Sequence, residues 1–112
     1  MVKITKLSSK TIETKLFGDD RPKVVLFYIY GCCPCKAIEP LFLELAADYT
    51  NRIDFYKFQT NIDIVNKDKF IKKFDIKPFP CILFIKNGRI MKKIHGEKPE
   101  RLYRETCKEL IK

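Results

Sequence analysis

Three thiols fall within four positions in Gly31-Cys32-Cys33-Pro34-Cys35-Lys36. A thiolate sulfur attacks disulfides and binds soft metals, so this cluster points to thiol–disulfide exchange or metal binding. The residues just before it, Val24 to Tyr30, are largely apolar and β-prone, and an amphipathic helical pattern opens on the last cysteines. A strand-to-helix junction there carries Cys32 to the edge of a sheet. It also aims unpaired backbone N–H groups and the positive end of the helix dipole at that sulfur. A cysteine so placed is a thiolate more readily than a free one.

What surrounds the cluster narrows the choice. The sequence offers no Gly-rich phosphate loop, no Ser/His/Asp set and no paired carboxylates as rival chemistry. His95 is the single histidine, at a strand end, and reads as structural or solvated. Asp19-Asp20 reads as a turn. At 112 residues and 46% hydrophobic, the chain is expected to be one domain, 1–112, with a core that needs no disulfide staples. Five cysteines, an odd number with three clustered, do not form a disulfide framework. With no apolar leader in Met1-Val2-Lys3-Ile4-Thr5-Lys6 and no long apolar span, the expected setting is soluble, reducing and cytoplasmic. The net charge of +9 is carried mostly by lysines expected on solvated helix faces, so neither nucleic acid nor membrane is expected as a partner.

Patterning supplies the elements that must hold the cluster. A short strand is expected near Val2 to Leu7, then Ser8-Ser9 as N-cap of a helix carrying Ile12, Leu16 and Phe17, ended by Gly18 through Pro22. Strand 24–30 leads into a helix from about Cys33 to Tyr49, with Ile38, Leu41, Phe42, Leu45 and Ala46 at helical spacing and a kink at Pro40. A strand over Ile53 to Phe58 follows, then a helix capped by Asp63 and holding Ile64, Val65, Phe70, Ile71 and Phe74. After the corner Lys77-Pro78-Phe79-Pro80, strands 81–85 and 90–94 flank Asn87-Gly88 and should pair antiparallel. Glu97 to Lys112 makes the last helix, with Leu102, Tyr103, Cys107, Leu110 and Ile111 as its apolar stripe. The order βαβαβαββα implies an α/β fold with a mixed sheet covered by helices on both faces.

These residues resemble the thioredoxin family along essentially the whole chain. The resemblance rests on the strand ending at Tyr30, Cys32-x-x-Cys35 with Pro34 before the second cysteine, Lys36, Pro40 and Lys57. It continues through Asn61-Ile62-Asp63, Phe79-Pro80, Lys86-Asn87-Gly88 and Gly96. It implies a thioredoxin fold, a mixed five-stranded sheet flanked by four helices, and a protein disulfide oxidoreductase. Cys32 is then the attacking thiol and Cys35 the resolving one, with the Cys32–Cys35 disulfide as the only redox group and no separate cofactor. Cys33, Pro34, Lys36, Lys57 and Pro80 would support the pair, Pro80 as a cis-proline. Gly31, Phe79 and Gly96 would frame the surface where substrate docks, the Phe79 backbone pairing with it as an added strand. Implied partners are disulfide-containing proteins and an electron donor such as a thioredoxin reductase or a glutathione system.

The departures from the family pattern carry their own expectations. Gly31 and Cys33 stand where the family usually has tryptophan and glycine, so the docking surface is expected to lack its aromatic wall. Leu26 stands at the position of a buried aspartate thought to help deprotonate the resolving thiol, leaving Lys57 without its carboxylate. Tyr28 replaces a tryptophan. Cys33 is either a small residue at a helix start or a third thiol that attacks mixed disulfides, takes a glutathione cap or helps bind a soft metal. Cys81 and Cys107 read as packing. A structural zinc site wants four ligands and only Cys81 offers a fourth, so no metal is expected. Two other readings stay open: a catalytically weak docking or structural module, and, further off, a soft-metal carrier.

Overall fold

Val24, Val25, Leu26 and Phe27 are consecutive and all buried. Side chains of a strand alternate between faces, so this one must be covered on both. The computed structural model of the chain describes residues 2–61 and 68–112 and shows how. The strand is β2 (Lys23–Ile29), at the centre of a five-stranded sheet. With β1 (Ile4–Lys6), β3 (Asp54–Thr60), β4 (Cys81–Lys86) and β5 (Arg89–His95) the spatial order is β1-β3-β2-β4-β5. β3 runs parallel to β1 and β2, while β4 is antiparallel to β2 and β5. The sheet is mixed, and the chain has the thioredoxin fold.

Two cores form, one on each face. Val24 and Leu26 pack with Ile38, Phe42, Leu45 and Ala46 of α2 (Cys33–Tyr49) and Tyr103, Cys107 and Leu110 of α4 (Glu100–Leu110). Val25 and Phe27 pack with Ile12 and Leu16 of α1 (Ile12–Phe17) and Phe70 and Ile71 of α3 (Lys69–Lys73). Arg104 on α4 donates to Glu100 at 2.7 Å and reaches Asp48 on α2 at 2.8 Å, tying the two helices of the first layer together.

Element types match the sequence reading, and several ends do not. The first strand is shorter than Val2–Leu7, and the first helix starts at Ile12 with Thr11, not Ser8 or Ser9, as N-cap. The serines serve differently: the Ser8 carbonyl accepts from the N–H groups of Thr11 and Ile12, closing a turn that leads into the helix. Asp63, Ile64 and Val65 lie outside the described residues. A helix over Lys69–Lys73 is capped by Asp68, whose Oδ1 accepts from Ile71 N–H at 3.1 Å. The last helix opens at Glu100 rather than Glu97, because Gly96 and Lys98 are held in a turn by Tyr103. Helix α2 continues past Pro40 to Tyr49, although proline removes one backbone donor.

Two further points concern Lys23, an exception among the expected solvated lysines, and the Asn87-Gly88 hairpin, which forms as expected. Lys23 is not on a solvated face: it is fully buried, and its ammonium donates to the Asp19 carboxylate and to the Arg21 carbonyl at 3.0 Å. The turn at Asp19-Asp20 therefore anchors the start of β2, and the Lys23 hydrogen bond, followed by that from Arg21 N–H, holds the Asp19 carboxyl below its usual range. The hairpin turn holds Asn87 and Gly88 at φ 55° and 72°, the left-handed region that Asn-Gly enters readily.

Candidate active site

The C-terminal end of β2 and the start of α2 meet at Tyr30-Gly31. Gly31 sits at φ 80°, and Cys32 N–H bonds back to the Ile29 carbonyl at 3.2 Å. This tight turn needs a left-handed residue, and glycine supplies it without a Cβ penalty. A Cβ at Gly31 would meet nothing within 4 Å, so the space beside Cys32 is open.

Cys32 is the N-cap of α2. Its backbone is extended, with Pro34 in the first turn, and its Sγ accepts from Cys35 N–H at 3.3 Å. A helix N-terminus and an N–H donor both stabilise negative charge on that sulfur. Cys32 is partly exposed and Cys33 exposed, whereas Cys35 keeps 5% of its surface. Burial, then the Cys32 contact, pushes the Cys35 thiol up to about 12. All five cysteines are free thiols. The cluster is thus two accessible sulfurs in front of one buried, protonated sulfur.

The remaining frame comes from the other end of the sheet. Cys81 pairs with Phe27, so Pro80 and Phe79 lie beyond the paired residues, at the same end of β2 that delivers Cys32. The Phe79–Pro80 bond is cis, and so is Lys77–Pro78, which sequence reading did not anticipate. Gly96 N–H donates to the Pro80 carbonyl at 2.8 Å, and the buried Tyr103 hydroxyl donates to the Gly96 carbonyl at 3.0 Å. Pro80 and Gly96 are thereby brought together and fixed from the core. His95 is structural: its Nδ1 donates to the Pro78 carbonyl at 2.9 Å.

Cys81 and Cys107 are both buried, and burial pushes each thiol up to about 12. Cys81 packs in the core layer of α1 and α3, on the face of the sheet away from α2. Among the described residues, no three His, Cys, Asp or Glu groups are arranged to hold a metal ion.

The thioredoxin family model matches residues 3–109. The chain belongs to the thioredoxin family. It is 38% identical over 69 residues to the thioredoxin of Borreliella burgdorferi, covering 62% of this chain and 56% of that protein. Against chloroplastic thioredoxin M4 of Arabidopsis thaliana it is 26% identical over 110 residues, 98% of this chain and 55% of the relative. The chain spans about half the length of these two relatives. Among solved structures, Malassezia sympodialis thioredoxin superposes with a TM-score of 0.79 at 24% identity, covering 96% of this chain and 91% of that one. Spinach chloroplast thioredoxin F, short form, gives 0.78 at 23% identity, covering 95% and 92%. No described helix is long and apolar enough to cross a membrane.

The structure corrects one expectation about the site. Lys57 does have a carboxylate: its Nζ lies 3.9 Å from Glu39 Oε1, one turn after Cys35 on α2. Sequence reading missed Glu39 because a glutamate on an amphipathic helix looks like ordinary solvated charge. The helical spacing of four from Cys35 was the available signal. Gly31 leaves the aromatic position before Cys32 empty, and the neighbouring Tyr30 is 82% exposed.

Proposed function

We propose that this chain is a thiol–disulfide oxidoreductase acting on protein disulfides through Cys32 and Cys35. The observation that carries the reading is the N-cap geometry: a partly exposed Cys32 sulfur that accepts Cys35 N–H at the start of α2, with the Cys35 thiol buried behind it. The Cys32 thiolate attacks one sulfur of a substrate disulfide, forming a Cys32–substrate bond and expelling one substrate thiol. Cys35 then loses its proton and attacks Cys32 Sγ. The Cys32–Cys35 disulfide forms and the second substrate thiol leaves. Two electrons have passed to the substrate, and a donor dithiol, from a thioredoxin reductase or a glutathione system, returns them.

Most of the surrounding residues have a part in this reading. Pro34 fixes the first turn of α2, Lys36 adds positive charge to that turn, and the Pro80–Gly96 pair borders the site from the sheet. Gly31 leaves room for the substrate chain, and Phe79 offers its backbone to it. Cys33 is a bystander thiol on the exposed rim. We place the reaction in a compartment that keeps thiols reduced.

The test is insulin disulfide reduction with dithiothreitol as donor. Acceleration over dithiothreitol alone is expected from the intact chain and from Cys33→Ser, and is lost in Cys32→Ser. No acceleration by the intact chain would refute general protein-disulfide reductase activity and favour a docking role.

A further inference from the structure

Resolution of the mixed disulfide requires the buried Cys35 thiol to give up its proton, and the apolar interior around it offers few acceptors. The α2 face that carries Cys35 carries Glu39 four residues on, a spacing that puts Cβ atoms about 5–6 Å apart on a helix. Glu39 is paired with Lys57, 3.9 Å away on β3, and the two side chains are 53% and 25% exposed. Lys57 stands opposite Leu26 in the β2–β3 register. Glu39, Lys57, Leu26, Tyr28 and Phe42 help line a small cavity of about 20 Å³. A volume of about 10–15 Å³ suffices for one water given polar partners, and here the carboxylate, the ammonium and the Tyr28 hydroxyl are at hand. The carboxylate is within influence of Tyr28, whose hydroxyl is pushed up by burial and then by Glu39's charge.

We propose that Glu39, held by Lys57 and one helical turn on from Cys35, is the proton acceptor that serves Cys35 in the resolving step. This rests on the oxidoreductase reading above. In the step, the Cys35 S–H proton passes to the Glu39 carboxylate as the Cys35 sulfur bonds to Cys32 Sγ and the substrate sulfur departs with the electron pair of the broken S–S bond. Glu39 then returns the proton to solvent from its exposed side. Cys32, the N-cap of α2, faces Cys35, while Tyr28 on β2 and Lys57 on β3 face Glu39; the cavity wall from β1 is apolar Ile4. Glu39 acts here as a positioning base on another thiol and does not touch substrate.

Stopped-flow reaction of the reduced protein with 5,5′-dithiobis(2-nitrobenzoate) separates the two half-reactions, and Cys33→Ser is used throughout so that only one accessible rim thiol competes. The first thionitrobenzoate release, by Cys32, is proportional to reagent. The second, by Cys35, is independent of it. At pH 6.5 Glu39→Gln is expected to slow the second phase about a hundredfold, at the lower edge of general-base effects because the carboxylate is half exposed, and the gap should narrow to about threefold by pH 8. The first phase should stay within twofold, and Glu39→Asp should fall between. The second-phase rate of the parent should be nearly flat from pH 6.5 to 8, whereas in Glu39→Gln it should rise about tenfold per unit as free thiolate takes over. An unchanged or faster second phase in Glu39→Gln, or equal slowing of both phases, overturns the proposal. Loss of the first phase in the parent would instead defeat the oxidoreductase reading itself.

Discussion

Alkylation rates offer a direct reading of which sulfurs can act. Cys81 and Cys107 are buried with thiols pushed up to about 12, as is Cys35. At pH 8 a thiol of that acidity is thiolate in about one molecule in ten thousand, against about a quarter for an unperturbed cysteine. The deficit is about two-thousandfold. A more basic thiolate is also the better nucleophile, with a Brønsted slope near 0.4–0.5, which returns about fortyfold. The net expectation is about fiftyfold slower labelling from acidity alone, before shielding by the core is counted.

Iodoacetamide at pH 8 with mass-spectrometric readout should therefore label Cys32 and Cys33 first in the reduced protein. Cys35, Cys81 and Cys107 should lag by at least that factor until urea unfolds the chain. Mild oxidation should then shield Cys32 as well as Cys35, leaving Cys33 as the fast site. If native Cys81 or Cys107 labels at the rate of Cys33, the burial argument fails. If oxidation shields Cys33 instead of Cys32, the assignment of the exchanging pair fails.

Two other outcomes follow from the same geometry. Tyr30 is exposed beside an open Gly31, so Tyr30→Ser should raise KM for insulin several-fold while leaving the rate with a small aromatic disulfide within twofold; an equal effect on both would remove Tyr30 from protein docking. Phe42 is 1% exposed, stacks edge-on against Phe55 at 5.7 Å and fills the layer beneath α2, so Phe42→Ala should cost about 3–5 kcal/mol in urea unfolding, and a loss under 1 kcal/mol would mean that layer collapses freely.

The order of elements, the Asn87-Gly88 hairpin and the strand-to-helix junction that carries the cysteines are legible in the residues alone. Each of those is a local signal: a run of β-prone residues, a dipeptide that tolerates positive φ, an apolar stripe at helical spacing. Local signals were weaker at ends. Thr11 replaced Ser8-Ser9 as cap and Glu100 replaced Glu97 as helix start, because backbone bonds to the Ser8 carbonyl and the Tyr103 hydroxyl, made across several residues, set those boundaries.

Which side chains come to face one another depends on the fold. Lys23 is one of many lysines until the fold encloses it against Asp19, and Glu39 is a solvated charge until β3 brings Lys57 to it from eighteen residues along the chain. Cys81 follows Pro80 directly, yet strand alternation turns its sulfur into the layer on the far side of the sheet from α2. A strand's period of two and a sheet's pairing across distant segments settle such facings, and neither is contained in the identity of a residue or its nearest neighbours.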